Sequence, residues 1–378
     1  MIWLNGFLVS LVVFGTVYYI ASTAALVACL GGKPISRSPD FRPLVSILKP
    51  VRGVDRQAAL NYASYLRQDY PDYEVLFGTL EASDPAIGVI LDTIQGHKGA
   101  SLHIGATLRG PNDKVRVLHQ LAKRARGQII IITDSDTRVE PNFVEAMVAP
   151  FEDPGVGVVT CLYKGILAAT TTDALEALHM SSVFAPGVAC ARLLGSRFGL
   201  GAAMAISLDA LISIGVFEAI VDYLADDYQI GRRAADLHWK VEVSHYVLDE
   251  VMSGESASSV FSRELRWSRT TRACRPLGHF GLVLTFGTVY ALMLAALTRS
   301  VEAFGLLLFV LAIRTLTAWV GARKLGDKEF PKRACLLLLR DAISFGVWVA
   351  GYFGGTVKWR GRKLHLTKDG RMVVNANP

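Results

Sequence analysis

The stretch Gln128-Ile129-Ile130-Ile131-Ile132-Thr133-Asp134-Ser135-Asp136 decides how this chain reads. Its unbroken apolar run is that of a strand buried on both faces, as in a parallel sheet. Two carboxylates follow, one residue apart, where the strand ends. Hard divalent cations take oxygen ligands of this kind and commonly share them with substrate phosphates. Asp and Ser also follow strands for turn-forming reasons alone, so the triplet gains meaning only from its company. That company is Asp84 in Ala82-Ser83-Asp84-Pro85, the pair Asp226-Asp227, and the run Arg263-Glu264-Leu265-Arg266-Trp267.

Outward from the triplet, strands and helices alternate from Pro43 to about Thr160. Strands are expected at Leu44–Leu48, Tyr73–Thr79, Ser101–Thr107, Gln128–Thr133 and Gly157–Cys161. Helices are expected at Arg56–Gln68, Pro85–Gly96, Asp113–Arg126 and Asn142–Phe151. This alternation predicts an α/β fold, a mostly parallel sheet with helices on both faces. Ligands in such sheets sit at the carboxyl ends of strands, and Asp84 and Asp134 both lie just past one. Residues 161–262 are less regular, with helices expected at Thr170–Phe184, Asp209–Ile214 and Asp227–Leu237 and a strand at Lys240–Val247. Gly195–Ile206 is rich in Gly and Ala, which suits tight turns under a ligand.

The ends of the chain are different. Residues 3–30 contain no charged side chain, long enough to cross a bilayer and too long for a signal peptide, so a retained anchor is expected over residues 1–31. Lys33, Arg37 and Arg42 follow and favour the cytosol for what comes next. Three further apolar stretches occupy residues 277–357: Leu277–Leu297, Ala303–Val320 with Arg314 inside, and Ala334–Val357 with Arg340 and Asp341 inside. Charges in a span pair or face protein, and Arg314 with Asp341 is a candidate pair. The loop Arg323–Arg333 and the tail 358–378 are basic and prefer the cytosol. One anchor followed by three full spans places the tail outside, so one stretch is expected to be re-entrant or interfacial, the glycine-broken last one first. A net charge of +7 and a mean hydropathy of +0.34 fit a basic membrane protein on anionic lipid; no aromatic-basic or zinc pattern for nucleic acid is present. The five cysteines lack metal or redox spacing and read as reduced, buried thiols.

Each acidic motif has a plain structural reading beside the chemical one. Asp84 is a good N-cap before Pro85. Asp226-Asp227 suits the start of a helix, where the dipole favours negative charge. A carboxylate there also suits a general base toward a hydroxyl. Lys114, after Gly110-Pro111-Asn112-Asp113, reads either as a solvated cation or as a diphosphate contact. Arg263 to Arg275 reads as a basic interfacial helix, residues 263–276, with Arg266 and Trp267 available to close over a diphosphate or an acceptor.

Asp84, Asp134, Asp227 and the Arg-x-x-Arg-Trp run, in this order, resemble the inverting GT-A glycosyltransferases. The strings Leu48-Lys49-Pro50-Val51-Arg52-Gly53-Val54-Asp55, Asp69-Tyr70-Pro71-Asp72-Tyr73-Glu74-Val75 and Asp84-Pro85-Ala86 tighten the resemblance to the ceramide glucosyltransferase-like family, which includes a bacterial glycosyltransferase of hopanoid biosynthesis. The tail Lys358-Trp359-Arg360-Gly361-Arg362-Lys363 is similar to that family's too. The resemblance implies a GT-A catalytic domain over residues 43–262, with one N-terminal and two to three C-terminal membrane helices. It implies that Asp84 contacts uridine and that Asp134 and Asp136 hold a divalent cation, Mg²⁺ or Mn²⁺. Asp227 becomes the base, and Arg263, Arg266 and Trp267 bind substrate; Lys114 joins them as a substrate contact on the reading of its own position, not on the resemblance. Arg263 stands where many members of the wider superfamily have Gln. The expected function is inverting transfer of a hexose from a UDP-sugar to a hydroxyl of a membrane lipid, with no nucleic-acid partner. Alternatives are N-acetylglucosamine transfer to a hopanoid polyol, or a non-catalytic membrane protein that retains a nucleotide-sugar fold.

Overall fold

The structure is a computed structural model that describes residues 2–32, 38, 40–359 and 362–374, with backbone alone for Ile2, Lys358, Trp359 and Val374. Lys33, Arg37, Arg360 and Gly361 lie outside the described residues. The strands are β1 (Val45–Pro50), β2 (Tyr73–Thr79), β3 (Ala100–Ile104), β4 (Ile129–Thr133), β5 (Thr137–Arg138), β6 (Val156–Ile166), β7 (Ala203–Ser207), β8 (Lys240–Val251), β9 (Thr356–Trp359), β10 (Arg362–Leu366) and β11 (Met372–Val374).

The first eight strands form one sheet in the order β3-β2-β1-β4-β7-β6-β8-β5. β1 to β4 are mutually parallel, as the helix-strand alternation predicts. β7 runs antiparallel to both β4 and β6, and β5 antiparallel to β8. These reversals fall in and around the region whose sequence pattern is irregular. The central strands are buried on both faces. Ile47, Phe77, Ile131 and Ala205 pack with Tyr62, Phe143 and Val144 on one side, and Leu48, Leu76, Ile132 and Ile206 with Leu118 and Phe217 on the other. This is why Ile129–Ile132 carries no polar residue.

Several expectations change in extent: the helix expected at Arg56–Gln68 is Ala58–Ser64, the strand expected at Ser101–Thr107 is Ala100–Ile104, and the one expected to end at Val247 runs to Val251. The strand expected at Gly157–Cys161 continues to Ile166 as β6, alongside β8 in parallel with a register shift at Cys161/Leu162. The helix expected to stop at Phe184 runs on through a π-turn, Met180–Phe184, to Leu193. The segment Thr171–Leu193 is apolar enough to cross a membrane. A single crossing is ruled out, because the flanking strands β6 and β7 pair with one another in the same sheet. It instead packs along the membrane bundle, with Ala185, Val188 and Ala189 against Ala25, Leu26 and Leu325.

The bundle contains Ile2–Cys29, Val301–Leu325 and Leu337–Gly351. The stretch expected as a clean span, Leu277–Leu297, is broken. Pro276–Gly281, a 3₁₀ turn at Leu282–Thr285 and Gly287–Thr298 meet at a 51° bend. At the break Gly287 lies so close to Gly15 that a Cβ on Gly15 would collide with the Gly287 backbone. Arg314 and Asp341 do pair: Nη2 to Oδ1 is 2.8 Å and Nε to Oδ2 is 3.0 Å, with both residues buried. The expected interfacial helix is longer at its start, Ala257–Cys274. The basic tail folds into a second sheet, β11-β10-β9. Leu364, Leu366 and Met372 of that sheet pack on Leu224, so it stands on the same side of the bundle as the large sheet. All five cysteines are free, but Cys161 alone is buried and Cys335 is exposed, short of the expectation of uniformly buried thiols.

Candidate active site

β1, β2, β4 and their following loops end on one rim. Asp84 sits beyond β2 and is both a cap and a tether. Its Oδ1 accepts from the Ala86 N–H at 2.9 Å, and its two oxygens accept from the Gly53 N–H at 3.0 and 3.1 Å. It is thereby fixed to the loop after β1. Pro50, Arg52, Glu81, Asp84 and Lys114 line a single hollow on this rim.

Lys114 belongs to the helix Asp113–Ala122, whose N-cap Asn112 accepts from Val115 N–H. The cap aims the first turn at the end of β4. Lys114 Nζ lies 2.5 Å from Asp134 Oδ1 and 3.9 Å from Asp226 Oδ2. Burial alone would favour a neutral amine, yet Asp134 and then Asp226 raise Lys114 well above the ordinary lysine value. One cation thus joins the strand-end triplet to the pair that opens the helix Asp226–Asp236.

Asp227 follows at the first turn of that helix. Its Oδ1 accepts from the Tyr228 N–H at 2.7 Å. Gly199 and Gly201 give it room: a Cβ on Gly201 would sit 2.9 Å from Asp227 Oδ2, and one on Gly199 would sit 2.8 Å from its carbonyl oxygen. Burial, and then the negative charge of Asp226, push the Asp227 carboxyl up to about 6.

Under the triplet lies Lys49, which sequence reasoning left without a role. It is fully buried. Its Nζ donates to the Asp134 carbonyl oxygen at 2.6 Å and sits 3.8 Å from the centre of the Tyr65 ring. Tyr65 in turn bonds Thr137 at 2.6 Å. Burial pulls Lys49 down to about 7, against the opposing pull of Asp136, Asp134 and Asp55. Burial, then Asp134 and Asp55, raise Asp136 to about 7. Asp55 also accepts from Ser135 Oγ at 2.5 Å. A lysine closing an apolar strand, Leu48-Lys49-Pro50, was the available signal.

Arg263 is held from two sides, by Glu176 at 2.5 Å and Glu255 at 2.8 Å, and its guanidinium lies 5.8 Å from the Trp267 ring centre. Glu250, opposite Thr137 in the β5–β8 register, is another residue that sequence reasoning missed. Burial, followed by Asp136 and Glu176, raises its carboxyl well above the usual range, while Arg263 lowers it. Glu250 therefore stands electrostatically between the triplet and the Arg263 helix. The structure brings Asp84, Lys114, Asp134, Asp136 and Asp227 to one rim. Arg263 and Trp267 stand together on the helix Ala257–Cys274, with Arg263 in the field of Glu250, and Arg266 lies one turn from Arg263 on the same helix.

The sequence model of glycosyl transferase family 21 matches residues 7–372. The chain belongs to that family. Ceramide glucosyltransferase 1 of Caenorhabditis elegans is 23% identical over 357 residues, covering 89% of this chain and 74% of the worm protein. Ceramide glucosyltransferase 3 of the same organism is 23% identical over 343 residues, covering 88% and 74%. The mannosyltransferase PcManGT of Pyrobaculum calidifontis, solved in complex with GDP-Man and Mn²⁺, superposes with a TM-score of 0.51 at 16% identity, covering 91% of this chain and 99% of that one. The fold of this family 21 member is accordingly of the GT-A kind, joined to apolar helices at both ends. The protein is a glycosyltransferase of the membrane.

Proposed function

We propose that this family 21 glycosyltransferase moves a hexose from a UDP-sugar to a hydroxyl of a membrane lipid, with inversion. Ceramide is the acceptor that its relatives' names suggest. The observation that carries the reading is the position of Lys114, within 2.5 Å of Asp134 and 3.9 Å of Asp226. It joins the place where a diphosphate belongs to the helix start that supplies a base.

In this reading Asp84 and the hollow beside it receive uridine. Lys114, half-shared between two carboxylates, turns toward the diphosphate as charge grows on the leaving oxygen. Asp227 accepts the proton of the attacking hydroxyl on the opposite side of the anomeric carbon. A carboxyl at about 6 is ionised at neutral pH yet more basic than a solvated one, which suits that task. Arg266 and Trp267 bound the acceptor side.

Among the described residues no three His, Cys, Asp or Glu side chains converge on a protein-only metal cage. Asp134 and Asp136 nevertheless fit an ion shared with phosphates, the way Mg²⁺ and Mn²⁺ are commonly bound. The crowding that raises Asp136 is what a hard cation relieves. Such an ion supplies neutralisation of the departing diphosphate.

The catalytic sheet faces the cytosol in this proposal. Ile2–Cys29 and the bent pair Pro276–Thr298 each cross, and Val301–Leu325 returns, bringing Gly326 beside Lys164 of β6. Leu337–Gly351 lies at the membrane surface. Leu337 packs with Leu178, and Gly351 lies against Ser268 of the interfacial helix, so both its ends stay on the catalytic side. A water-soluble donor and an insoluble acceptor then meet where rim and interface adjoin.

The test is the purified full chain with radiolabelled UDP-sugars and vesicles that contain ceramide or a hopanoid polyol. Label passing from UDP-glucose into ceramide supports the reading. Transfer from UDP-N-acetylglucosamine to the polyol moves the acceptor to hopanoids. Absence of label from the lipid phase with every donor overturns it.

A further inference from the structure

Outside the active site, the interfacial helix and the C-terminal sheet enclose a second cavity of about 240 Å³, lined by Arg269, Arg272, Pro276, Gly355, Thr367 and Lys368. Three cations face it. The two arginines are pinned by the end of the helix Leu337–Gly351. Arg269 donates to the carbonyls of Thr356 and Phe353 at 2.5 and 2.6 Å. Arg272 donates to those of Tyr352 and Gly354 at 2.6 and 3.0 Å. Capping a helix end is a sufficient reason for one arginine, and it fixes both without cancelling their charge. Among the described residues no carboxylate lies within ion-pair distance of Arg269, Arg272 or Lys368; Asp369, beside Lys368, pairs with Arg371 at 3.1 Å. Burial and then Arg272 hold the Arg269 guanidinium below its ordinary value, as expected of like charges gathered without an anion. The Arg269 Nε is buried and has no partner.

The surroundings specify the kind of anion. Leu277 and Phe280, on the short helix that begins at Pro276, are 85% and 63% exposed, and Phe353 is 69% exposed. Such side chains beside a polar cavity belong to the zone where head groups meet acyl chains. A free anion has no use for them.

We propose that this cavity binds the phosphate of an anionic membrane phospholipid, with its acyl chains lying over Leu277, Phe280 and Phe353. The site lies apart from the sugar-transfer rim and holds whatever the donor and acceptor prove to be. It also has a line to that rim. The turn Thr367–Gly370 that bears Lys368 braces the loop before Asp226: Leu224 N–H donates to the Gly370 carbonyl at 3.4 Å, and Met372 N–H to that of Asp222 at 2.7 Å. A bound lipid steadies the base from behind.

The experiment is native mass spectrometry of the detergent-purified full chain with phosphatidylglycerol and with phosphatidylcholine, for the wild type, Lys368→Glu and Lys368→Ala. Lys368 makes no contact that folding needs, and thermal unfolding of each variant is recorded alongside. The wild type is expected to retain phosphatidylglycerol over phosphatidylcholine. Loss of the one cation should weaken that retention by about fivefold, and charge reversal by more, without change in melting. Equal retention of the two lipids, or variants indistinguishable from the wild type, overturns the proposal. Inorganic phosphate is the second arm: failure to displace phosphatidylglycerol supports a lipid head group, and displacement at low concentration overturns the lipid source.

Discussion

Glu264 and Arg340, 76 residues apart in sequence, meet in a two-point ion pair: Nη1 to Oε1 is 2.7 Å and Nη2 to Oε2 is 2.8 Å. Arg340 is 1% and Glu264 5% exposed. The pair fastens the helix that carries Arg263, Arg266 and Trp267 to the helix Leu337–Gly351. The neighbouring Asp341 fastens that same helix to Arg314. Removing one member of a buried pair strands a charge and typically costs about 3–5 kcal/mol. Arg340→Ala should therefore lower the unfolding temperature markedly. The Glu264→Gln, Arg340→Met double variant, which strands an amide but no charge, should melt closer to the wild type. Thermal unfolding of the detergent-purified variants checks this.

Asp227→Asn should fold, bind UDP and lose transfer by about 10²–10⁴-fold. Near-normal turnover would remove Asp227 as the base. The wild-type rate should fall as pH drops through about 6, because the base must be ionised. The stability sign is opposite. A carboxyl raised on folding stabilises the protein below its unfolded value, and that contribution is lost as pH rises through about 6. At pH 7.5 the Asn variant should thus melt above the wild type, a combination that simple misfolding does not produce.

Gly201→Ala tests the room left for the base. Its Cβ would lie 2.9 Å from Asp227 Oδ2, and the carboxylate must turn away. The expected result is a lower kcat with donor KM little changed. A raised donor KM at normal kcat would place Gly201 on the nucleotide instead.

Chelation with EDTA should abolish transfer, and Mg²⁺ or Mn²⁺ should restore it. A readout independent of activity is the thermal shift on adding Mn²⁺ in the presence of UDP. It is expected for the wild type and should disappear in Asp134→Asn and Asp136→Asn. An equal shift in all three proteins removes these carboxylates as ligands.

Much of the catalytic half was legible in sequence because its signals are local. A buried strand must be apolar throughout, so Ile129–Ile132 announced itself, and the turn that ends it announced Asp134 and Asp136. Asp84 and Asp226 were legible for the same reason, as residues at helix starts. The parallel order of β1 to β4 follows from helices that carry the chain back across the sheet. The antiparallel β7 did not show, since its pairing with β4 and β6 is made between distant segments.

Local chemistry in the chain thus determined the α/β class, the acidic turn, the apolar ends and the paired carboxylates at a helix start. Tertiary structure alone decided which groups meet. Lys49 became the buried counter-charge to Asp134 and Asp136, Glu250 came to face Asp136, Arg263 was taken up by Glu176, and the basic tail became a sheet braced on Leu224. The reason is physical. Helix and strand preferences act over a few residues, whereas the field at a buried charge depends on every group that folding brings near it, whatever its distance along the chain.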